Sequence, residues 1–157
     1  MIPTLRATVP GVWIGLIVAL SFIETPLKFL APDVTVPLAL GIGRLVLTAA
    51  NIAGAVLLIA ITVLSVVRPR VRRSALVVVA AIWVTFLVQV TVIRPPLNAR
   101  TDIVLAGGDP GPSSLHLVYV VADVVILALL IAYLPLARAA TAVPAAVPAP
   151  PSAHSSR

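Results

Sequence analysis

The sequence predicts an all-α fold, a four-transmembrane-helix bundle with both termini cytoplasmic. Three observations carry that prediction. Four long apolar stretches run roughly over 10–30, 44–67, 74–93 and 115–134, each long enough to cross a hydrocarbon core about 30 Å thick. Only 10% of the 157 residues are charged and 61% are hydrophobic, against roughly a quarter charged in an ordinary soluble domain. The charges that do occur gather in the short segments between the stretches. Residues 1–136 therefore form one transmembrane domain, and 137–157 read as an Ala/Pro-rich disordered tail with little to bury.

Residues 1–9 read as a short tail ahead of the first span. Pro26 should kink or end that span near Leu30, because proline removes a backbone donor. A cleaved leader is the competing reading, with Arg6 as its charged start and Ala19-Leu20-Ser21 as the cleavage site; the apolar run continuing through Phe22 and Ile23 favours a retained helix. Pro32 and Pro37 then make the connection over about 31–43 irregular or re-entrant. The second span begins at Gly41-Ile42-Gly43-Arg44 and carries small residues (Ala49, Ala50, Ala53, Gly54, Ala55) that let helix backbones approach closely in lipid. That face admits a homo-oligomer or a membrane partner protein besides the lipid bilayer itself. Ser74 caps the third span, and Arg94-Pro95-Pro96 ends it. Trp83, near mid-span, reads as a packing residue. The segment 94–114 is then a polar loop with a turn cluster at Gly107-Gly108-Asp109-Pro110, followed by Ser113-Ser114 as a cap for the fourth span, which closes near Leu134-Pro135.

Charge sets the orientation. With the N-terminus inside, the cytoplasmic side holds Arg6, Arg68, Arg70, Arg72, Arg73, Arg138 and Arg157, and the outer side holds Lys28, Arg44, Arg94 and Arg100, in keeping with the positive-inside rule. Glu24, Asp33, Asp102 and Asp109 all fall on the outer half. The net charge of +6 is thus a topology signal in a multi-pass plasma-membrane protein. It does not indicate nucleic acid, because the Arg68–Arg73 cluster has no aromatic residues to stack on bases. Ten arginines against one lysine, with abundant Ala, Val and Pro, is the bias of a GC-rich bacterial genome. The absence of cysteine excludes disulfides, thiolate metal sites and thiol redox chemistry.

The unusual polar groups lie in the outer half of the spans. Glu24 and Lys28 share a helix face with ion-pair spacing. His116, Tyr119 and Asp123 fall at i, i+3 and i+7 on one stripe, with Asp123 roughly 13 Å past Ser114 at 1.5 Å per residue. A carboxylate at that depth requires a partner, a cavity water or a proton. Candidate partners are Arg44 and Asn51 on the second span, and Gln89 and Arg94 on the third. Arg94 and Arg100, with Asn98 between them, are placed to cradle an anionic or carbonyl group at the outer mouth. The cluster reads either as a ligand-binding pocket or as a hydrogen-bonded brace between helices. A metal site would need Glu24, His116 and Asp123 to converge, and spacing alone assigns none; haem between paired histidines is disfavoured because the other histidine is His154 in the tail. No cofactor is identified.

The segments Glu24-Thr25-Pro26-Leu27-Lys28-Phe29, Arg94-Pro95-Pro96-Leu97-Asn98-Ala99-Arg100 and Leu115-His116 resemble the uncharacterised small four-helix membrane proteins of bacteria. More remotely, Pro96-Leu97-Asn98 and His116 resemble the anthrone oxygenase-like membrane family, over about residues 10–135. The His-x-x-Arg pattern of that family has Tyr119 at its Arg position here, so the resemblance implies the architecture more than an oxygenase chemistry. The function expected first is a membrane protein that binds or passes a small solute or lipid, or serves as a partner subunit. The alternative is a membrane enzyme acting on a lipophilic substrate at the outer leaflet, with His116 and Asp123 as acid/base candidates.

Overall fold

The computed structural model describes residues 1–139, all of it helix and connection with no strand. Expectations for 140–157, including His154 and Arg157, lie outside the described residues. Four helices are long and apolar enough to cross a membrane: Ile2–Leu30, Val36–Val66, Arg73–Leu105 and Leu115–Arg138. The connections over 31–35, 67–72 and 106–114 are short, so successive helices run antiparallel. The fourth helix packs against the first and third, and the first packs against the second.

The bundle is apolar outside as well as in. Val56, Ile59, Val63, Val77, Val84, Leu117, Val121 and Ile131 all point outward and exposed. A helix that is hydrophobic all round is stable only with an apolar medium on its outer face, which identifies a multi-pass membrane protein. Inside, Trp13, Leu58, Ile61, Ile82, Phe86, Ile126, Leu130 and Tyr133 form one continuous core. Trp13 and Phe86 meet edge to face, ring centres 6.0 Å apart. Both rings close on Gly54, where a Cβ would sit 3.2 Å from each. The small-residue stretch of the second helix thus serves, at Gly54, a close approach within the bundle. Trp83 is partly buried against the core and donates to Thr62 Oγ1 at 3.0 Å, the packing role expected of it.

Several boundaries differ from those expected, mostly at prolines. The first helix begins at Ile2, with Pro3 in its first turn where the missing N–H costs nothing, and Pro10 lies buried inside it. Pro26 does not break the helix. A π-helical stretch, Val18–Glu24, widens the turn ahead of it, and Thr25 Oγ1 donates to the Leu20 carbonyl at 2.8 Å. The chain continues through Thr25–Leu27 and a 3₁₀ turn to Leu30. The connection expected over 31–43 shrinks to 31–35, because Thr35 caps a helix whose first turn holds Pro37.

The third helix likewise passes its prolines. It starts at Arg73, so Ser74 is not its cap. A second π stretch, Gln89–Ile93, precedes Arg94–Leu105, whose first turn accommodates Pro95 and Pro96. The polar loop expected over 94–114 is therefore helical to Leu105. The full helix of 33 residues spans roughly 50 Å, so its polar last turns extend past a 30 Å hydrocarbon layer. The Ser113 hydroxyl accepts from Leu115 N at 3.1 Å, at the start of the fourth helix. That helix carries Pro135 inside it and is described through Ala139, which removes 137–139 from the expected tail.

Arg6, read from sequence as a topology charge or the charged start of a leader, is a buried cation. It is 1% exposed and donates to the carbonyls of Leu64 (2.9 Å), Val67 (3.0 Å) and Pro69 where the second helix ends. Cations are stabilised at a helix C-terminus, where the last carbonyls have no intrahelical partner. One turn deeper, the Ser65 and Tyr133 hydroxyls share a 2.8 Å hydrogen bond. Replacing Arg6 by Met should lower unfolding free energy by about 2–3 kcal/mol, since three buried carbonyls lose their donor. Arg70→Met, at an exposed neighbour in the same cluster, should change it by no more than about 0.5 kcal/mol. SDS titration of the protein in mixed micelles measures both.

Candidate functional site

At the end of the bundle opposite Arg6, all four helices contribute to a cavity of about 250 Å³. Its floor is Asp123, 6% exposed, on the fourth helix. Ser21 Oγ donates to Asp123 Oδ2 and Gln89 Nε2 donates to Asp123 Oδ1, both at 2.6 Å. Ser21 lies in one π stretch and Gln89 opens the other. The two widened turns thus sit at the depth of the carboxylate and deliver its donors from the first and third helices. Gln89 is 1% exposed and also reaches the Tyr119 carbonyl at 3.5 Å. Below the floor, Asn51 Oδ1 accepts from the Tyr119 hydroxyl at 3.0 Å. There a void of about 20 Å³ between Asn51, Gln89, Trp13 and Phe86 gives way to the core.

The walls are mostly apolar: Phe29, Ala39, Leu40, Leu47, Leu97 and Val120. Polar groups stand at the rim. Lys28 pairs with Glu24 at 3.4 Å, its Nζ 5.8 Å from the centre of the Phe29 ring. Gly43 makes room for that ammonium, since a Cβ there would lie 2.8 Å from Lys28 Nζ. Arg44 Nη2 donates to Asp102 Oδ1 at 2.6 Å and to the Asn98 carbonyl at 3.1 Å, fastening the Arg94–Leu105 segment to the second helix. His116 and Thr101 line this cavity and also a second one of about 220 Å³, which Arg100, Pro110, Gly111 and Ser113 border.

The stripe of His116, Tyr119 and Asp123 therefore faces one space, together with Lys28, Arg44 and Asn98. Of the expected partners of Asp123, Gln89 bonds to it and Arg44, Asn51 and Arg94 do not; its second hydrogen bond comes from Ser21. Arg94 turns toward the second helix, donating to the Leu47 carbonyl at 3.1 Å and to Thr48 Oγ1. Arg100 donates to the Gly111 carbonyl, so the two arginines do not cradle one group. The carboxylate of Asp102 is held by Arg44 instead. Glu24 stays outside the lining and holds Lys28. Among the described residues, no three His, Asp or Glu side chains come together as metal ligands would.

Ser21, Thr25, Gly43 and Thr101 line the cavity and were missed from sequence. Ser21, Thr25 and Lys28 fall at i, i+4 and i+7, so a stripe on the first helix was available; Gly43 carries no such signal.

Truncation distinguishes the hydrogen-bonding role of Asp123 from mere polarity. Asp123→Ala strands the Ser21 and Gln89 donors and should cost about 2–3 kcal/mol of stability. Asp123→Asn keeps one acceptor and offers Ser21 Oγ a donor, and should cost under about 1 kcal/mol by the same reasoning. Denaturant titration of both variants in micelles reads the difference. Comparison of the chain with protein-family models, with curated proteins and with solved structures finds no match.

Proposed function

We propose that the protein binds a small amphiphilic molecule in this cavity, at the outer-leaflet end of a plasma-membrane bundle. The carrying observation is the cavity itself: an apolar chamber with polar groups at its rim and one buried carboxylate at its floor, the usual constitution of a small-molecule site. An engineered apolar cavity of about 150 Å³ takes benzene, so this one suits roughly ten non-hydrogen atoms. Binding is favoured over passage because the core of Trp13, Leu58, Phe86, Ile126 and Leu130 fills the bundle beyond Asp123. It is favoured over catalysis because both Asp123 oxygens accept hydrogen bonds from Ser21 and Gln89, and His116 bonds to neither of them.

A ten-carbon alcohol bearing a diazirine tests this reading in phosphatidylcholine nanodiscs. Saturable photolabelling should map to 97–101 and 116–123, be displaced by excess decanol, and fall at least tenfold in Val120→Trp, whose indole fills the chamber. Label spread evenly over lipid-facing residues such as Val56 and Val84 would refute it.

The orientation rests on the arginine-rich end lying inside, and the cysteine-free chain makes that simple to examine. A single cysteine at Arg70 should react with a membrane-impermeant maleimide only after cells are opened. One at Gly108 should react in intact cells. The reverse pattern would put the cavity in the inner leaflet.

A further inference from the structure

We infer that the group recognised at the rim of this cavity is anionic, a carboxylate or equivalent oxyanion on an apolar body. The inference rests on the binding reading above and adds the chemistry of the ligand's head. It follows from which hydrogen-bonding groups the fold has already used.

The acceptors near the cavity are largely engaged. Asp123 Oδ1 and Oδ2 each take a short hydrogen bond, Glu24 holds Lys28, and Asp102 holds Arg44. The donors are not. Lys28 has three N–H groups and one hydrogen-bond partner among the described residues, the Glu24 carboxylate at 3.4 Å, which is long for a charge-assisted bond. Its side chain is only 11% exposed, so water satisfies little of the remainder. Arg44 Nε is buried with no acceptor among the described residues. His116, on the shared wall of the two cavities, makes no hydrogen bond among the described residues and can turn either ring nitrogen into a donor. Arg100 adds a further cation beside the second cavity. A head group that brings acceptors and negative charge completes these donors, whereas an ammonium head would meet Lys28 and Arg44 with like charge.

Gly43 supports the same assignment. Any larger residue would push Lys28 Nζ off the backbone of the second helix, so the ammonium occupies a seat cleared for it. The head is therefore placed against Lys28, between the first and second helices, with the apolar body lying toward Leu97 and Val120.

Competition against the photoreactive alcohol in phosphatidylcholine nanodiscs tests the claim. Decanoate should displace it at least tenfold more tightly than decanol, and decylamine more weakly than either. Lys28→Met should reduce decanoate to the level that decanol shows in the same variant. Gly43→Ala should weaken decanoate selectively with the charge retained. Exchanging part of the phosphatidylcholine for phosphatidylglycerol separates two sources of the anion. Lys28-dependent displacement by that lipid assigns a bilayer headgroup, and its failure alongside strong decanoate binding assigns a single-chain carboxylate; both fit the inference. Decanol binding as tightly as decanoate, or decylamine more tightly, overturns the anionic head and leaves the cavity reading standing. Failure of decanol itself to displace the label removes both.

Discussion

A carboxylate buried between helices must be hydrogen-bonded, and Asp123 organises the polar end of this bundle on that account. An unpaired ionised group in a low-dielectric interior is too costly to persist. Its two donors come from separate helices, Ser21 on the first and Gln89 on the third, each within 2.6 Å. Both donors sit in π-helical turns. Widened turns are rare and recur where a side chain must be re-aimed or a backbone group released. Here they also prepare the helix for the prolines that follow, Pro26 and the Pro95-Pro96 pair. One local distortion thus satisfies the carboxylate and carries the chain past residues that would otherwise end it.

The two ends of the bundle solve their polar problems differently. At the arginine-rich end, Arg6 fills the space under the last carbonyls of the second helix, and the Ser65–Tyr133 hydrogen bond lies just inside it. Packing there leaves little room: Ala75, Tyr133 and Ala137 are essentially inaccessible. At the other end, the third helix overshoots the membrane and leans on the second through Arg44–Asp102 and Arg94–Thr48. That overshoot roofs a chamber instead of filling it. The apolar core between the two ends keeps them separate, so polarity at one end has no continuous path to the other.

Brace and pocket, which stand as alternatives on the sequence, coincide in the geometry. Asp123 ties the first, third and fourth helices through Ser21 and Gln89, and the same side chain forms the cavity floor. Lys28 is likewise both an ion-pair partner of Glu24 and a rim residue. Stability and recognition are therefore coupled at these positions. Substitutions at Val120 or Gly43, which enter no hydrogen bond through a side chain, separate the two more cleanly than substitutions at Asp123.

The amino-acid sequence alone determined the helical class, the number of spans and the stripe of His116, Tyr119 and Asp123, because hydrophobic run length and helical period are local properties. It misplaced the helix ends at Pro10, Pro37, Pro95 and Pro135: Pro37 and Pro95 fall in a first turn, where the missing N–H costs little, and Pro10 and Pro135 are carried inside their helices. Only the tertiary structure decided who pairs with whom. Arg44 and Arg94 share charge and depth with the groups that could have met Asp123, yet reach Asp102 and Thr48 instead, because the third helix continues beyond its prolines and brings Asp102 beside the second helix. Arg6 shows the same limit: its sequence gives a charge near a span, and the antiparallel packing of the first two helices turns it into a buried clamp.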